Sequence, residues 1–379
     1  MNTIYKTLCS PKKFIIGKNL LNDPSKFIKD FGNKCFIVCD ERLIDQVNQK
    51  TVKSLEKENI ISHVEKFKIE CTKNEVERMC SIKKSKGSNV ILGIGGGKTI
   101  DTAKAMAFYE KCPVVIFPTA ASTDAPCTSL AVLYKDNGEF DQYLYIPNNP
   151  DVVLVDPVVM VTAPPRLFSS GVGDALATYF EARQCFQSFG NNLTNTKPSL
   201  IGYNLSKLCY KIISENIEKA MDSLNCKSNS ISFENILEAT IYLSGIGAES
   251  GGLAAAHAIS NGLSSIEQLH SSQHGEKVAF GLLAQLILED APTGEIENVI
   301  RIMKIAKLPM TLEDLGYKNW NDEDIKKVAS ISNLPSDTMS NMLRNFENDD
   351  IFNSIVAANE MGKRYKKISI ENLKPNYPI

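Results

Sequence analysis

The first 160 or so residues alternate short β-rich runs with helical patterns, and this alternation restricts the possible folds more than any other feature of the chain. Cys35–Cys39 (CFIVC) is a short apolar run ending at Asp40. Residues 73–86 (KNEVERMCSIKKSK) carry helical spacing. Asn89–Ile94 (NVILGI) is a second apolar run, followed by glycines and a helical stretch from Thr99 to Tyr109. Val114–Phe117 (VVIF) is a third run, stopped by Pro118. Parallel strands need long crossovers, and helices provide them. Strand, helix, strand, helix, strand therefore predicts a parallel sheet with helices on both faces. Asn137-Gly138 between two β-prone runs predicts a hairpin. Val152–Val155 (VVLV) reads as a last strand before Asp156-Pro157.

After Ala163-Pro164-Pro165 the pattern changes. Helical spacing dominates over 174–190, 200–224, 234–262, 275–290 and 294–306, and strand signals nearly vanish. Paired prolines suit a boundary. The expected architecture is an α/β domain with a Rossmann-like parallel sheet over residues 1–163, then an all-α domain over 164–379. The tail 368–379 (ISIENLKPNYPI) is expected to be poorly ordered.

Composition narrows the function classes. The formal net charge of −2 and the short, scattered lysine clusters leave no basic stripe for nucleic acid. Ten cysteines occur without any Cys-x-x-Cys, which argues against a zinc finger or a disulfide framework. Cys35 and Cys39 would share one face of a strand. Reduced thiols point to a cytoplasmic protein. MNTIYKTLCSPKKF lacks the apolar segment of a secretion signal. No apolar run approaches the roughly 20 residues that span a bilayer, so no membrane partner is expected.

Gly93-Ile94-Gly95-Gly96-Gly97-Lys98-Thr99 lies between a strand and a helix. Outward-pointing amides and the helix dipole there make a phosphate cradle. A P-loop would need Gly where Leu92 stands, and a Rossmann fingerprint would need Gly where Lys98 stands, so the loop is of another kind. The bland alternative is a tight turn. Asp40 and the loop Pro118–Asp124 also follow strands, where open α/β sheets bind ligands. An acidic residue at that place can bind ribose hydroxyls and repel the 2′-phosphate of NADP. It can equally form a turn.

Three of the four histidines, His257, His270 and His274, lie within 18 residues of one another. Two histidines and a carboxylate would supply the three protein ligands of a catalytic zinc. Spacing alone leaves the carboxylate open. Asp174, in GVGDAL, reads as the start of a helix, where an N-cap is the competing role. His257 can also be a satisfied core histidine. His63, in ISHVEKF, reads as a surface strand residue.

At these residues the chain closely resembles the glycerol dehydrogenases of the iron-type, metal-containing alcohol dehydrogenase superfamily, related in fold to the dehydroquinate synthases. The matching stretches are GIGGGKTIDTAKA (93–105), PTAASTDAPCTSLAVLY (118–134), FDQYLYIPNNPDVVLVD (140–156), GVGDALATYFEAR (171–183), YLSGIGAESGGLAAAHAISNGL (242–263) and HGEKVAFGLLAQLILE (274–289). The resemblance implies that Asp174, His257 and His274 hold the metal. It implies pyrophosphate contacts from Gly95, Gly96, Gly97, Lys98, Thr99 and Asp101, and nucleotide contacts from Thr119 and Ser122. Thr128, Leu130 and Tyr134 are implied around the nicotinamide, Asp40 at the ribose of NAD, and Asp124 on the substrate. Many iron-type relatives carry a third ligating histidine that this chain lacks, which favours zinc. Thr128 stands where relatives have Ser and keeps the hydroxyl.

The implied reaction is zinc-assisted hydride transfer from glycerol or a related vicinal diol to NAD, giving dihydroxyacetone. The resemblance also implies a homo-oligomer, with octamers usual in the family. His270 is either a proton relay or a surface residue. A lyase resembling dehydroquinate synthase, or a glycerol-1-phosphate dehydrogenase, would need basic residues around an anionic substrate. GAESGGLAAAHAISNGL (247–263) has neither Lys nor Arg. A non-catalytic nucleotide-binding regulator would lack zinc.

Overall fold

The computed structural model describes residues 4–68 and 70–373. Its contacts divide the chain into two compact units. One comprises Cys9–Pro164 with Lys227–Asn229, the other Met1–Leu8, Pro165–Cys226 and Ser230–Ile379.

The first unit contains β1 (Lys13–Ile16), β2 (Lys34–Cys39), β3 (Ile61–Lys66), β4 (Val90–Gly95), β5 (Val114–Pro118), β6 (Leu130–Tyr134), β7 (Phe140–Tyr145) and β8 (Val152–Val155). Six strands form one sheet in the order β1-β8-β5-β4-β2-β3. Every neighbouring pair in it is parallel, as the alternation predicts. β6 and β7 form the antiparallel hairpin announced by Asn137-Gly138. Strands covered on both faces should be apolar throughout, and β4, β5 and β8 are buried along their whole length. One face packs Ile37, Leu92, Ile94, Val115, Phe117 and Leu154 with Val47 and Leu55. Each such side chain contributes roughly 1.5–3 kcal/mol by burial. The edge strand β1, half-exposed and opened by Lys13, escaped the sequence reading.

Two helices matter for the site in this unit. α1 (Lys73–Lys86) begins at Thr72, whose hydroxyl accepts from Glu75 N, and ends at Gly87 in the left-handed region. α2 (Gly97–Glu110) springs directly from the glycine loop. It lies so close to β4 that a Cβ on Gly93 would come within 2.6 Å of Ala103 Cβ.

The second unit is helical. Its main elements are α3 (Pro165–Ser188), α4 (Leu200–Asn225), α5 (Ala255–Leu263), α6 (His274–Leu288), α7 (Thr293–Ile305), α8 (Asp322–Ser332) and α9 (Asn348–Lys366). The single helix expected over 234–262 is broken. A helix ending at Gly251 stops where Gly252 turns to φ 98° against Cys185 Sγ, and α5 starts afresh at Ala255. Of the tail, Ile370–Asn372 forms a 3₁₀ turn and Leu373 is buried. Residues 374–379 lie outside the described residues, so the expectation of disorder is untested there. Among the described residues no helix is long and apolar enough to cross a membrane, and none of the cysteines is in a disulfide.

Candidate active site

Asp174 does not start a helix. It lies well inside α3, which begins at Pro165. The glycines around it, read as a helix boundary, instead serve helix crossing. A Cβ on Gly173 would strike the carbonyl oxygen of Gly275, and one on Gly275 would strike that of Ser170. α3 and the first turn of α6 therefore meet backbone to backbone, and Gly275 N donates to Ser170 Oγ at 3.2 Å. That contact delivers His274, the first residue of α6, to Asp174. A second glycine crossing, Gly281 against the carbonyl of Ala256, sets α5 and His257 against α6.

Asp174, His257 and His274 converge, each offering one ligand atom within 4.8 Å of the others. The Nε2 atoms of His257 and His274 both lie 3.3 Å from the same oxygen, Asp174 Oδ1. Asp174 is 1% exposed, whereas the His274 side chain is 44% exposed and opens the site on one side. Ligands about 2.0–2.1 Å from a tetrahedral zinc stand about 3.3–3.4 Å from one another. The donor set and its two 3.3 Å separations therefore suit a single divalent metal ion.

Glu181 stands behind this set. Its Oε2 is 2.6 Å from His257 Nδ1, and its Oε1 accepts from the backbone N–H of Ala254 and of His257, both at 2.9 Å. α5 has no capping side chain of its own, so a buried glutamate two turns along α3 from Asp174 caps it from outside. The same group fixes the imidazole tautomer, the usual task of a carboxylate behind a metal-binding histidine. Sequence reading missed Glu181. The available signal was its spacing of seven from Asp174, which repeats one helix face. Arg166 steadies the neighbouring turn by donating to both oxygens of Glu276 at 2.6 and 2.7 Å. Burial opposes charge on Asp174, but His274 and His257 outweigh it and hold the carboxyl well below its usual range. Burial likewise opposes charge on His257, and Glu181 and Asp174 raise it well above the ordinary imidazole value.

In the α/β unit three strand ends line up at the carboxyl edge. Asp40 N donates to Ile94 O (3.1 Å) and Thr119 N to Gly95 O (3.1 Å), so Asp40, the glycine loop and Thr119 sit side by side. The order in which strands are added reverses between β2 and β4, which is where an open α/β sheet binds ligands. The loop glycines divide by role. Gly95 is required by packing, since a Cβ there would approach the Thr99 side chain to 2.7 Å. A Cβ on Gly96 would meet nothing within 4 Å, so its bareness leaves open backbone at the uncapped start of α2. Lys98 pairs with Glu70 at 2.6 Å and lies over the Tyr134 ring. Asp40 also forms a turn: its carboxylate accepts from Arg42 N, Nε and Nη2.

The remaining expected site residues divide differently. Thr119, Ser122 and Asp124 lie half-buried in the loop after β5. Thr128 is buried and donates its hydroxyl to Ala125 O. Leu130 and Tyr134 open and close β6. Asp101 is turned into the unit, with Oδ2 accepting from Val132 N at 3.1 Å and Oδ1 2.9 Å from Lys104 Nζ. His270 is exposed, bonded to Ser264 O, and outside the ligand group. His63 lies on β3 beside Phe36.

Comparison with known proteins gives the family. The family of iron-containing alcohol dehydrogenases matches residues 11–157. Glycerol dehydrogenase of Escherichia coli is 41% identical over 356 residues, covering 94% of this chain and 97% of the relative. That of Thermotoga maritima is 41% identical over 370 residues, covering 96% and 99%. The crystal structure of glycerol dehydrogenase from Schizosaccharomyces pombe superposes with a TM-score of 0.90 at 32% identity, over 96% of this chain and 93% of that one. Identity of this order along nearly the whole length, with the same fold, is decisive: the chain belongs to the glycerol dehydrogenases of the iron-containing alcohol dehydrogenase family.

Proposed function

We propose that the chain oxidises glycerol and related vicinal diols to the hydroxyketone, with NAD as hydride acceptor and one zinc ion as Lewis acid. The observation that carries this reading is the convergence of His257 Nε2 and His274 Nε2 on one buried oxygen of Asp174, with Glu181 fixing the His257 ring. Asp174, His257 and His274 would hold the ion. Bound there, zinc would polarise a diol oxygen and lower its pKa toward neutrality. Two imidazoles and one carboxylate leave the ion a net positive charge, which suits that task.

The α/β unit is the nucleotide domain in this reading, and the helical unit binds metal. Gly96, Gly97, Lys98 and Thr99 receive the pyrophosphate, with Thr119 and Ser122 beside them. Asp40 accepts from the ribose hydroxyls. Thr128, Leu130 and Tyr134 border the nicotinamide, and Asp124 accepts from a substrate hydroxyl. Unbridged cysteines support a cytoplasmic enzyme. We take the working form as a homo-oligomer, with the octamer as the state to test by light scattering. The function is tested with zinc-loaded protein, NAD and a panel of glycerol, 1,2-propanediol and simple alcohols. NADH should accumulate with the vicinal diols first. Absence of NADH with both diols would overturn the proposal.

A further inference from the structure

Lys104 is a buried cation that none of the roles above employs. Only 2% of it is exposed. Its Nζ donates to the carbonyl oxygens of Ala125 (2.8 Å) and Leu130, and lies 3.5 Å from that of Thr128. The fourth partner is Asp101 Oδ1 at 2.9 Å, one turn earlier on α2. Asp101 in turn accepts from Val132 N through Oδ2. Burial raises the carboxyl pKa of Asp101, and Lys104 acts against that shift.

Burying an ammonium costs several kcal/mol unless it is paired and hydrogen-bonded. An apolar side chain of similar length would fill the same space without that cost. What the ion pair adds is direction. Carbonyls at 125, 128 and 130 turn inward toward one point, and the first strand of the hairpin is pinned at 132. The segment thus fixed is the one that carries Thr128 and Leu130 and follows directly on Asp124. It is further held by Cys127 N donating to Asp124 O (3.3 Å) and by Asn149 Nδ2 donating to Cys127 O (2.8 Å).

We propose that Lys104 and Asp101 are positioning residues: a buried clasp that holds residues 124–132 in the one conformation able to seat the diol and the nicotinamide. Asp101 then serves the reaction from inside the unit and not as a pyrophosphate ligand. This inference rests on the reading of Asp124, Thr128 and Leu130 given above.

The test compares the full-length, zinc-loaded wild type with Lys104→Met and Asp101→Asn. Backbone amides of 125–132 should exchange with solvent about tenfold faster or more in both variants, while those of β4 keep their protection. ADP-ribose, which lacks the nicotinamide, should bind within about twofold of wild type, because the glycine loop is intact. The kcat/KM for glycerol should fall on the order of 100-fold, the usual effect of misplacing reacting groups by about 1 Å. Unchanged exchange overturns the proposal. So does faster exchange with unaltered glycerol kinetics, which would leave the pair a packing role. Equal loss of ADP-ribose binding, or failure of both variants to fold, overturns it as well, since the pair would then support the whole unit. If the wild type turns over no diol, the function proposed above fails, and exchange with ADP-ribose binding still decides the clasp.

Discussion

At the scale of single residues, the site depends on groups that do two things at once. Asp40 follows β2 and accepts three bonds from Arg42, whose side chain is largely exposed. The carboxylate occupies that guanidinium, and in the proposed nucleotide site it would repel a 2′-phosphate. Asp40→Ala should free Arg42 for the phosphate, and charge-assisted bonds of that kind favour the phosphorylated cofactor about 10- to 100-fold. The ratio of kcat/KM with NADP to that with NAD measures this, and an unchanged ratio would remove Asp40 from cofactor choice. Glu181 is the second case. In Glu181→Gln the amide can keep the bonds from Ala254 and His257 N–H, but its NH₂ then faces His257 Nδ1. The ring proton must move to Nε2, the atom aimed at Asp174. Zinc affinity should drop about 10- to 100-fold with the fold intact, read by competition with a chelator. The proposed metal ligands Asp174, His257 and His274 were legible through resemblance, because long motifs carried them. Glu181 was not, since a lone glutamate within a helix looks like any other until the partner helix is placed.

At the scale of elements, glycines decide which helices can meet. Gly275→Ala would press a methyl group into the carbonyl of Ser170 and to within 2.9 Å of Asp174 N. α6 must retreat, carrying His274 with it. A loss of about 1–3 kcal/mol from overpacking, together with lost zinc, is expected in urea melts and metal analysis. Gly96→Ala is the contrasting change: it meets nothing in the protein and should fold normally, yet bind NAD more weakly. In the sequence GVG reads as a helix start, because a helix crossing is invisible without its partner. Apolar spacing likewise predicts one helix through Gly252, where only the positive φ reveals the break. β1 and the last two helices carried too short or too charged a pattern to be singled out.

The start of α1 gives a pH-dependent test. Glu75 accepts from Arg78 Nε and Nη2, both at 2.8 Å, and from Lys68 N at 3.0 Å. Arg78 also bonds Glu65 on β3. Burial works against the charge of Glu75, but Arg78 and the Lys68 amide prevail and lower its pKa below the ordinary 4.5. Folding therefore favours the ionised form. Its contribution is complete above pH about 4.5 and disappears as pH falls through the folded value. Glu75→Gln should lower the urea midpoint at pH 7, and the gap from wild type should close as pH drops below about 4.5. A gap independent of pH would contradict this assignment.

At the scale of the molecule, each unit follows from its own periodicity. The alternating half makes a parallel sheet because its strands are apolar throughout and its helices bridge them. The second half makes helices because apolar residues recur with helical spacing and caps mark their ends. The strand order, with the glycine loop following β4 and the acidic residue following β2, was not legible. It depends on pairings between segments far apart in the chain. Function enters where these units leave groups that the core does not need: open glycines in one, a convergent donor set in the other. The most direct measurement is metal content and glycerol-dependent NADH formation, on the same preparations of wild type and His257→Ala. The wild type should hold zinc in near-equimolar amount and reduce NAD, and the variant should do neither while remaining folded. A folded variant that kept its zinc and its turnover would contradict the ligand set of Asp174, His257 and His274.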